Sequence, residues 1–200
     1  MQLIMSPTSP FVRKIRVQIR ETKLLDVVEE VNVATTPFAS AAEAVAANPL
    51  GKIPALIRDE GPAIYDSRVI SRYLDDYANS GLYPTSRLWE VLTLEATGDG
   101  MMEAAVAMAY EGRLRPEEKQ FDDWIEAQWA KVDRALDAIG ARWMSHLEGP
   151  LTMAQVSVGC ALSYIDFRHD ARGWRDGRKA LSDWHAGFSE RQSMIDTIPS

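Results

Sequence analysis

Hydrophobic and polar positions follow two different periods along the chain, and the change comes near residue 80. Before it, short apolar runs with a period of two predict strands over 2–5, 27–33, 55–58 and 63–65. Apolar residues at steps of three and four predict helices that begin near Pro10, Ser40 and Ser67. The order is βαβ followed by αββα, which predicts a mixed sheet with helices packed on it.

After residue 80 the period is helical throughout. Four segments have apolar residues at helical spacing, over about 88–112, 116–144, 152–168 and 179–189. Pro116 followed by two acids is typical of a helix start, and Thr152 with Gln155 forms a capping-box pattern. All six tryptophans lie in this part. The sequence therefore predicts two domains, an α/β domain over 1–79 and an all-helical one over 86–200.

Composition narrows the class of protein. With 200 residues, 46% hydrophobic and 26% charged, the chain is long enough for a sizeable core and is typical of a soluble globular protein. Its single cysteine, Cys160, excludes an intramolecular disulfide, a cysteine-rich zinc site and a CxxC pair, and it fits a reducing cytoplasm. The three histidines lack metal-ligand spacing. We therefore expect no metal.

Charge and hydropathy argue against two kinds of partner. The net charge of -7 gives no basic field that would collect nucleic acid. No basic residue precedes the short apolar run at the amino terminus, and no stretch reaches the roughly 18 apolar residues of a membrane span. We expect a cytoplasmic protein that binds neither nucleic acid nor membrane.

The first candidate site is the segment Ser6-Pro-Thr-Ser9-Pro10, between a predicted strand and a predicted helix. Ser9 before Pro10 is a good helix N-cap, and capping alone would explain it. A hydroxyl beside free N–H groups at the positive end of a helix can also stabilise a bound anion or thiolate. Both interpretations stay open on these residues.

The second candidate is the segment from Asn48 to Pro54. A proline directly before a strand and after a β-branched residue is a place for a cis bond, which would expose the backbone of Ile53 as an edge. An extended peptide could pair with that edge, and Lys52 could bind a carboxylate. A tight turn with a surface lysine explains the same residues equally well.

The third candidate is Tyr65-Asp66-Ser67, at the start of a predicted helix. Either Asp66 or Ser67 could simply be the N-cap. Alternatively, the Ser67 hydroxyl and N–H could bind an α-carboxylate while Asp66 lies near an ammonium group, which is the charge pattern of an amino-acid end. The three segments together could converge on one extended, acidic peptide.

The segments SPTSPFVRK, NPLGKIPAL and YDSRVISRYL, in this order and spacing, resemble the glutathione transferases. The later segments LTMAQVSVGCALSYIDF and FSERQSMIDTIP are similar too, so the resemblance covers essentially the whole chain. It implies an α/β thioredoxin-like N-terminal domain, an all-α C-terminal domain forming the electrophile site, and a hydroxyl-type active site. It also implies a homodimeric detoxification enzyme, with glutathione as cosubstrate.

The resemblance assigns roles to individual residues. Ser9 would hydrogen-bond the glutathione sulfur, with Thr8 and Ser6 as rivals for that role. Ile53, before a cis-Pro54, would present its backbone to the cysteinyl unit.

Other residues would bind the two ends of glutathione. Lys52 would neutralise a glutathione carboxylate. Asp66 and Ser67 would hold the γ-glutamyl end. Asp99 matches an acidic position that in some relatives reaches across the dimer.

Five residues of the first long helical segment could form an apolar wall around the electrophile: Met101, Met102, Ala105, Met108 and Tyr110. The same residues could instead be ordinary core residues. The chain departs from the family pattern at Gln155, where an aspartate is usual. Two other functions stay open, a glutathione-binding regulator without turnover and a narrow-specificity glutathione-dependent isomerase or dehalogenase.

Overall fold

The computed structural model describes residues 1–199, which divide into two units by their contacts: Met1–Ser86 together with residues 191–199, and Arg87–Glu190. The first unit has a three-stranded sheet of order β2-β1-β3, in which β1 runs parallel to β2 and antiparallel to β3. Its elements in chain order are β1 (Gln2–Met5), α1 (Pro10–Glu21), β2 (Glu29–Asn32), α2 (Ala42–Ala47), β3 (Ala55–Ile57) and α3 (Ser67–Ala78).

The sheet buries both faces, as the alternation along β1 requires. Leu3 and Met5 pack in a cluster with residues of α1 and α3 such as Ile15 and Leu74. Ile4, between them in sequence, packs in the opposite cluster with α2. Because successive side chains of a strand point to opposite faces, a helix layer covers each side of the sheet. This is the α/β arrangement predicted from the sequence.

The predicted fourth strand over 63–65 was wrong. Only Ile64 pairs with the sheet, through two backbone hydrogen bonds of 2.9 Å with Leu56. Pro62 has no N–H to donate, its carbonyl accepts from the side chain of Arg58, and the next helix already begins at Ser67. The segment is therefore too constrained at both ends to extend the pairing.

Helix α1 is held along its length by the C-terminal residues, which the sequence had assigned to the helical domain. A short helix, α9 (Gln192–Ile195), follows the helical unit, and the buried Arg13 guanidinium donates to the Met194 carbonyl at 3.0 Å. At the other end of α1, Arg191 donates two hydrogen bonds of 2.8 Å to Glu21. These hydrogen bonds lower the pKa of Glu21, although its partial burial acts in the opposite direction.

The second unit is all-helical, as predicted. It contains α4 (Leu88–Leu114), α5 (Asp122–Arg142), α6 (Met144–Leu147), α7 (Met153–His169) and α8 (Lys179–Ser189). The predicted capping box at Thr152 and Gln155 is present. The Gln155 amide also donates to the Pro150 carbonyl at 2.8 Å, which the aspartate usual at this position could not do. No helix within the described residues is long and apolar enough to cross a membrane.

Helix α5 starts later than the predicted Pro116. Pro116 precedes only a 3₁₀ turn over Glu117–Lys119, and the extended backbone of Gln120 separates this turn from α5. The Gln120 side chain donates to the carbonyls of Gly112 and Arg115, and the Phe121 N–H donates to Glu111. These hydrogen bonds to the end of α4 take the place of the hydrogen bonds that a helix beginning at Pro116 would have formed.

Candidate functional site

The three candidate segments lie at the same end of the small sheet. Ile4, near the end of β1, pairs with Ala55, the first residue of β3. The chain therefore leaves β1 toward Ser9 at the end where it enters β3. Ile64 pairs antiparallel with Leu56, so the chain that follows it, over 65–67, runs back to this end.

Ser9 is the N-cap residue of α1. Its backbone is extended, and its Oγ accepts a hydrogen bond of 3.4 Å from the Val12 N–H. Capping uses a lone pair of the oxygen and leaves the hydroxyl proton free to be donated. Ser9 can therefore cap the helix and also donate a hydrogen bond to a bound anion or thiolate. Ser6 and Thr8 are also partly exposed, but Ser9 is the one that caps the helix.

The Ile53–Pro54 peptide bond is cis, as the sequence predicted. Within the part of the chain that is described, neither the N–H nor the C=O of Ile53 has a hydrogen-bond partner. Lys52, the preceding residue, is exposed. The segment can therefore offer one backbone donor, one backbone acceptor and an ammonium group to an extended ligand.

Asn48 organises this loop, a role that the sequence analysis missed. The side chain is buried; its amide donates to the Lys52 carbonyl and its Oδ1 accepts from the Leu50 N–H, both at 3.0 Å. Gly51 adopts φ +63°, and a Cβ there would lie 2.8 Å from the Ser40 Oγ. The Asn-Pro-x-Gly pattern was visible as a turn, but nothing in it showed that the asparagine supports Ile53.

Asp66 and Ser67 begin α3. Asp66 is the N-cap, with one carboxylate oxygen accepting from the Arg68 N–H at 3.0 Å, and the residue is exposed. The Tyr65–Asp66 peptide bond is also cis, which the sequence did not indicate. Ser67 is buried, and its hydroxyl has no hydrogen-bond partner among residues 1–199. The positive helix end and this hydroxyl together suit a carboxylate.

Most of the candidate residues in the helical unit are buried. Asp99 is fully buried and accepts from the Ser157 hydroxyl at 2.9 Å, so its carboxylate is not presented at the surface of this unit. Four of the five residues considered for an apolar wall are core residues: Met101, Met102, Ala105 and Met108. Tyr110 is 42% exposed and is the member that a ligand could contact.

The described residues contain no group of three histidine, cysteine or acidic side chains that could hold a metal ion. Two of the three histidines hydrogen-bond to other groups through Nε2. Nε2 of His169 lies 2.8 Å from the Ala105 carbonyl, and that of His185 lies 3.0 Å from the Ser163 hydroxyl. Cys160 is buried in α7 and forms no disulfide.

Comparison with known proteins agrees with this geometry. Residues 8–77 match the family model for the glutathione S-transferase N-terminal domain, and residues 122–187 match that for the C-terminal domain. The uncharacterized GST-like protein YibF of Escherichia coli K12 is 29% identical over 205 residues, which cover 100% of this chain and 98% of that protein.

Two solved structures of glutathione transferase family members from Pseudomonas fluorescens Pf-5 are similar over 100% of this chain. One has bound glutathione, 41% identity, a TM-score of 0.97 and 98% of its own length covered. The other has bound S-(propanoic acid)-glutathione, 40% identity, a TM-score of 0.92 and 99% covered. With both domain models matched and such relatives over its whole length, the chain belongs to the glutathione S-transferase family.

Proposed function

We propose that this protein is a glutathione transferase that activates the thiol of glutathione for attack on small hydrophobic electrophiles. The observation that carries the proposal is the juxtaposition at one end of the sheet of a serine N-cap, the unpaired backbone of Ile53 and the start of α3. Glutathione bound to the similar Pseudomonas fluorescens protein supports the same ligand here.

The charges and hydrogen-bonding groups of these three segments complement those of glutathione along its length. The cysteinyl unit pairs its backbone with Ile53, as an added strand does. Lys52 neutralises one carboxylate of the peptide. At the γ-glutamyl end, Ser67 and the N-terminus of α3 hold the α-carboxylate while Asp66 attracts the ammonium group.

Thiol activation is the chemical role of Ser9. A free thiol has a pKa near ~8.5, so only a few per cent is thiolate at neutral pH. Donation from the Ser9 hydroxyl and the positive end of α1 favour the anion, and each unit of pKa lowering corresponds to about 1.4 kcal/mol. The thiolate then attacks an electrophile held by the helical unit. A reducing cytoplasm, where glutathione keeps thiols reduced, suits this chemistry.

Calorimetric titration with glutathione, followed by a turnover panel, tests the proposal. The panel contains aryl halides, isothiocyanates, hydroperoxides and disulfides. We expect glutathione binding and measurable turnover on several of these classes. Binding without turnover on any of them would contradict the transferase assignment and favour a regulator. Turnover confined to one narrow substrate would favour the isomerase or dehalogenase alternative.

We also propose that the protein forms a homodimer through one face of α4. This face forms a shallow concavity lined by one large aromatic and mostly small side chains at steps of three and four: Trp89, Leu92, Thr93, Ala96 and Thr97. Trp89 is 76% exposed. Apolar surface of this kind on a long helix is what a second copy of the chain would cover.

Replacing Ala96 by arginine is expected to yield a monomer, because a charged side chain at the centre of this face would be buried without a partner. Light scattering after size-exclusion chromatography measures the mass. The control is Ala186→Arg on α8, another exposed alanine in the same unit, which should leave the dimer intact. A dimer that persists in Ala96→Arg would contradict this interface.

A further inference from the structure

A segment near the end of the chain forms a strap along helix α1. This C-terminal strap, residues 191–197, contains α9 and belongs by its contacts to the first unit. It runs antiparallel to α1, because its first residue is bonded to Glu21 at the end of the helix and its later residues are bonded to Arg13, near the helix start. Met194 and Thr197 are buried. The C-terminal strap is therefore a packed part of this unit.

One group of hydrogen bonds, the near clamp, joins the C-terminal strap to the beginning of α1. The Arg13 guanidinium donates to the Met194 carbonyl at 3.0 Å and to the Thr197 hydroxyl at 3.4 Å, and the residue is only 5% exposed. The Thr197 hydroxyl in turn donates to the Ser193 carbonyl at 2.8 Å, which fixes it against α9. Burying a guanidinium is costly unless acceptors meet it, so Arg13 makes a specific connection that an apolar side chain could not make.

Arg13 is also bonded directly to Ser9. Its backbone N–H donates to the Ser9 carbonyl at 3.0 Å, which is the first hydrogen bond of α1 that spans four residues. The bond that caps the helix is weaker, because the 3.4 Å between the Val12 nitrogen and the Ser9 Oγ exceeds the usual range of about 2.7–3.2 Å. The position of Ser9 therefore depends on the turn that Arg13 closes, and the near clamp holds that turn through the Arg13 side chain.

We propose that Arg13 is a positioning residue for thiol activation: anchored by the C-terminal strap, it holds the first turn of α1 so that the Ser9 hydroxyl reaches the glutathione sulfur. This inference rests on the proposed function, in which Ser9 donates to the thiolate. A hydrogen bond weakens steeply as its donor turns away from the acceptor. A small displacement of Ser9 therefore weakens thiol activation while the other contacts to glutathione persist.

A second group of hydrogen bonds, the far clamp, offers a matched control on the same helix. Arg191 donates two hydrogen bonds of 2.8 Å to Glu21, which also accepts from the Ser193 hydroxyl. Glu21 is the last residue of α1 and lies about 12 Å along the helix axis from Arg13. Replacing Arg191 removes one positive charge and one connection to α1, as replacing Arg13 does, but at the end of the helix away from Ser9.

Three variants test the inference through the pKa of the bound glutathione thiol, read from the ultraviolet absorbance of the thiolate against pH. Arg13→Met should raise that pKa above the wild-type value by about half a unit, a threefold fall in the ratio of thiolate to thiol. Thr197→Val weakens the near clamp without changing any charge and should raise the pKa by a smaller, measurable amount. Arg191→Met should leave it unchanged. Calorimetry should show glutathione affinities within about threefold of wild type.

Stability is measured in parallel by urea unfolding, and the midpoint should fall in both Arg13→Met and Arg191→Met. A loss of stability therefore does not by itself explain a change in the pKa of the thiol. Where Arg13→Met fails to fold, Thr197→Val provides the test.

The outcomes separate the inference from the proposed function. An unchanged thiol pKa in either near-clamp variant, or an equal rise in Arg191→Met, would overturn the positioning role of Arg13 and leave the proposed function in place. A rise in Arg13→Met without one in Thr197→Val would assign the effect to the lost charge. A wild type that does not lower the pKa of the bound thiol would overturn both.

Discussion

Replacing Ser9 by alanine is expected to lower kcat/KM for glutathione conjugation by about 100-fold, the loss typical of removing one hydrogen-bond donor from a developing or bound anion. Most of the loss should fall on kcat at neutral pH, because the fraction of glutathione present as thiolate falls. Glutathione binding should change less, since Ile53 and the start of α3 are intact. Steady-state kinetics with glutathione and one reactive aryl halide measure the effect.

The capping role of Ser9 must be separated from its chemical role. Alanine removes the N-cap and costs about 1 kcal/mol of stability, whereas glycine at an N-cap costs only a few tenths. Ser9→Gly should therefore keep the stability of α1 and lose as much activity as Ser9→Ala. Thr8→Ala and Ser6→Ala are the matched controls and should retain turnover. Loss of turnover in Thr8→Ala with activity kept in Ser9→Gly would move the assignment to Thr8.

Replacing Gly98 by alanine is expected to reduce the free energy of unfolding by about 3 kcal/mol, the upper part of the usual range for overpacking a core. A Cβ at this position would lie 2.5 Å from the Ser157 Oγ, 2.9 Å from the Ser157 carbonyl carbon and 3.0 Å from the Val158 nitrogen. Two of these are backbone atoms of α7, so a side-chain rotation cannot relieve the contact. Displacing Ser157 would also break its hydrogen bond to the buried Asp99.

Gly112→Ala on the same helix is the control. A Cβ there meets no heavy atom within 4 Å, so the higher helix propensity of alanine should stabilise the protein by up to about 1 kcal/mol. Urea unfolding followed by circular dichroism measures both variants. Equal stability changes in the two variants would show that α4 and α7 do not approach each other as closely as the structure has them.

The sequence was most informative where local rules and burial agree. Leu3 and Ile4 pack against different helix layers because successive side chains of a strand point to opposite faces of the sheet. The period of two in the sequence is enough to predict this. The cis bond at Ile53–Pro54 was also predictable, because a proline preceded by a β-branched residue lies at a strand start. Serine before proline at the start of α1 predicted both a cap and an anion site, and the geometry allows Ser9 to serve as both.

The features that the sequence missed depend on distant partners. Arg13 reads as one of several basic residues on α1, yet it is buried because the carbonyl of Met194, far along the chain, accepts its hydrogen bond. Asn48 supports the Ile53 loop through bonds that a turn pattern does not reveal. Pro116 has the local signature of a helix start, but side-chain bonds from Gln120 to the end of α4 delay the helix.

The central claim, that this fold activates glutathione through Ser9, is tested most directly by the pKa of the bound thiol. Ultraviolet absorbance of the thiolate is followed against pH for glutathione bound to the wild type and to Ser9→Gly. We expect the wild type to lower the pKa by at least about one unit from the free-thiol value of ~8.5, and Ser9→Gly to lose most of that shift. An unshifted pKa in the wild type, or the same lowered pKa in both proteins, would contradict the claim.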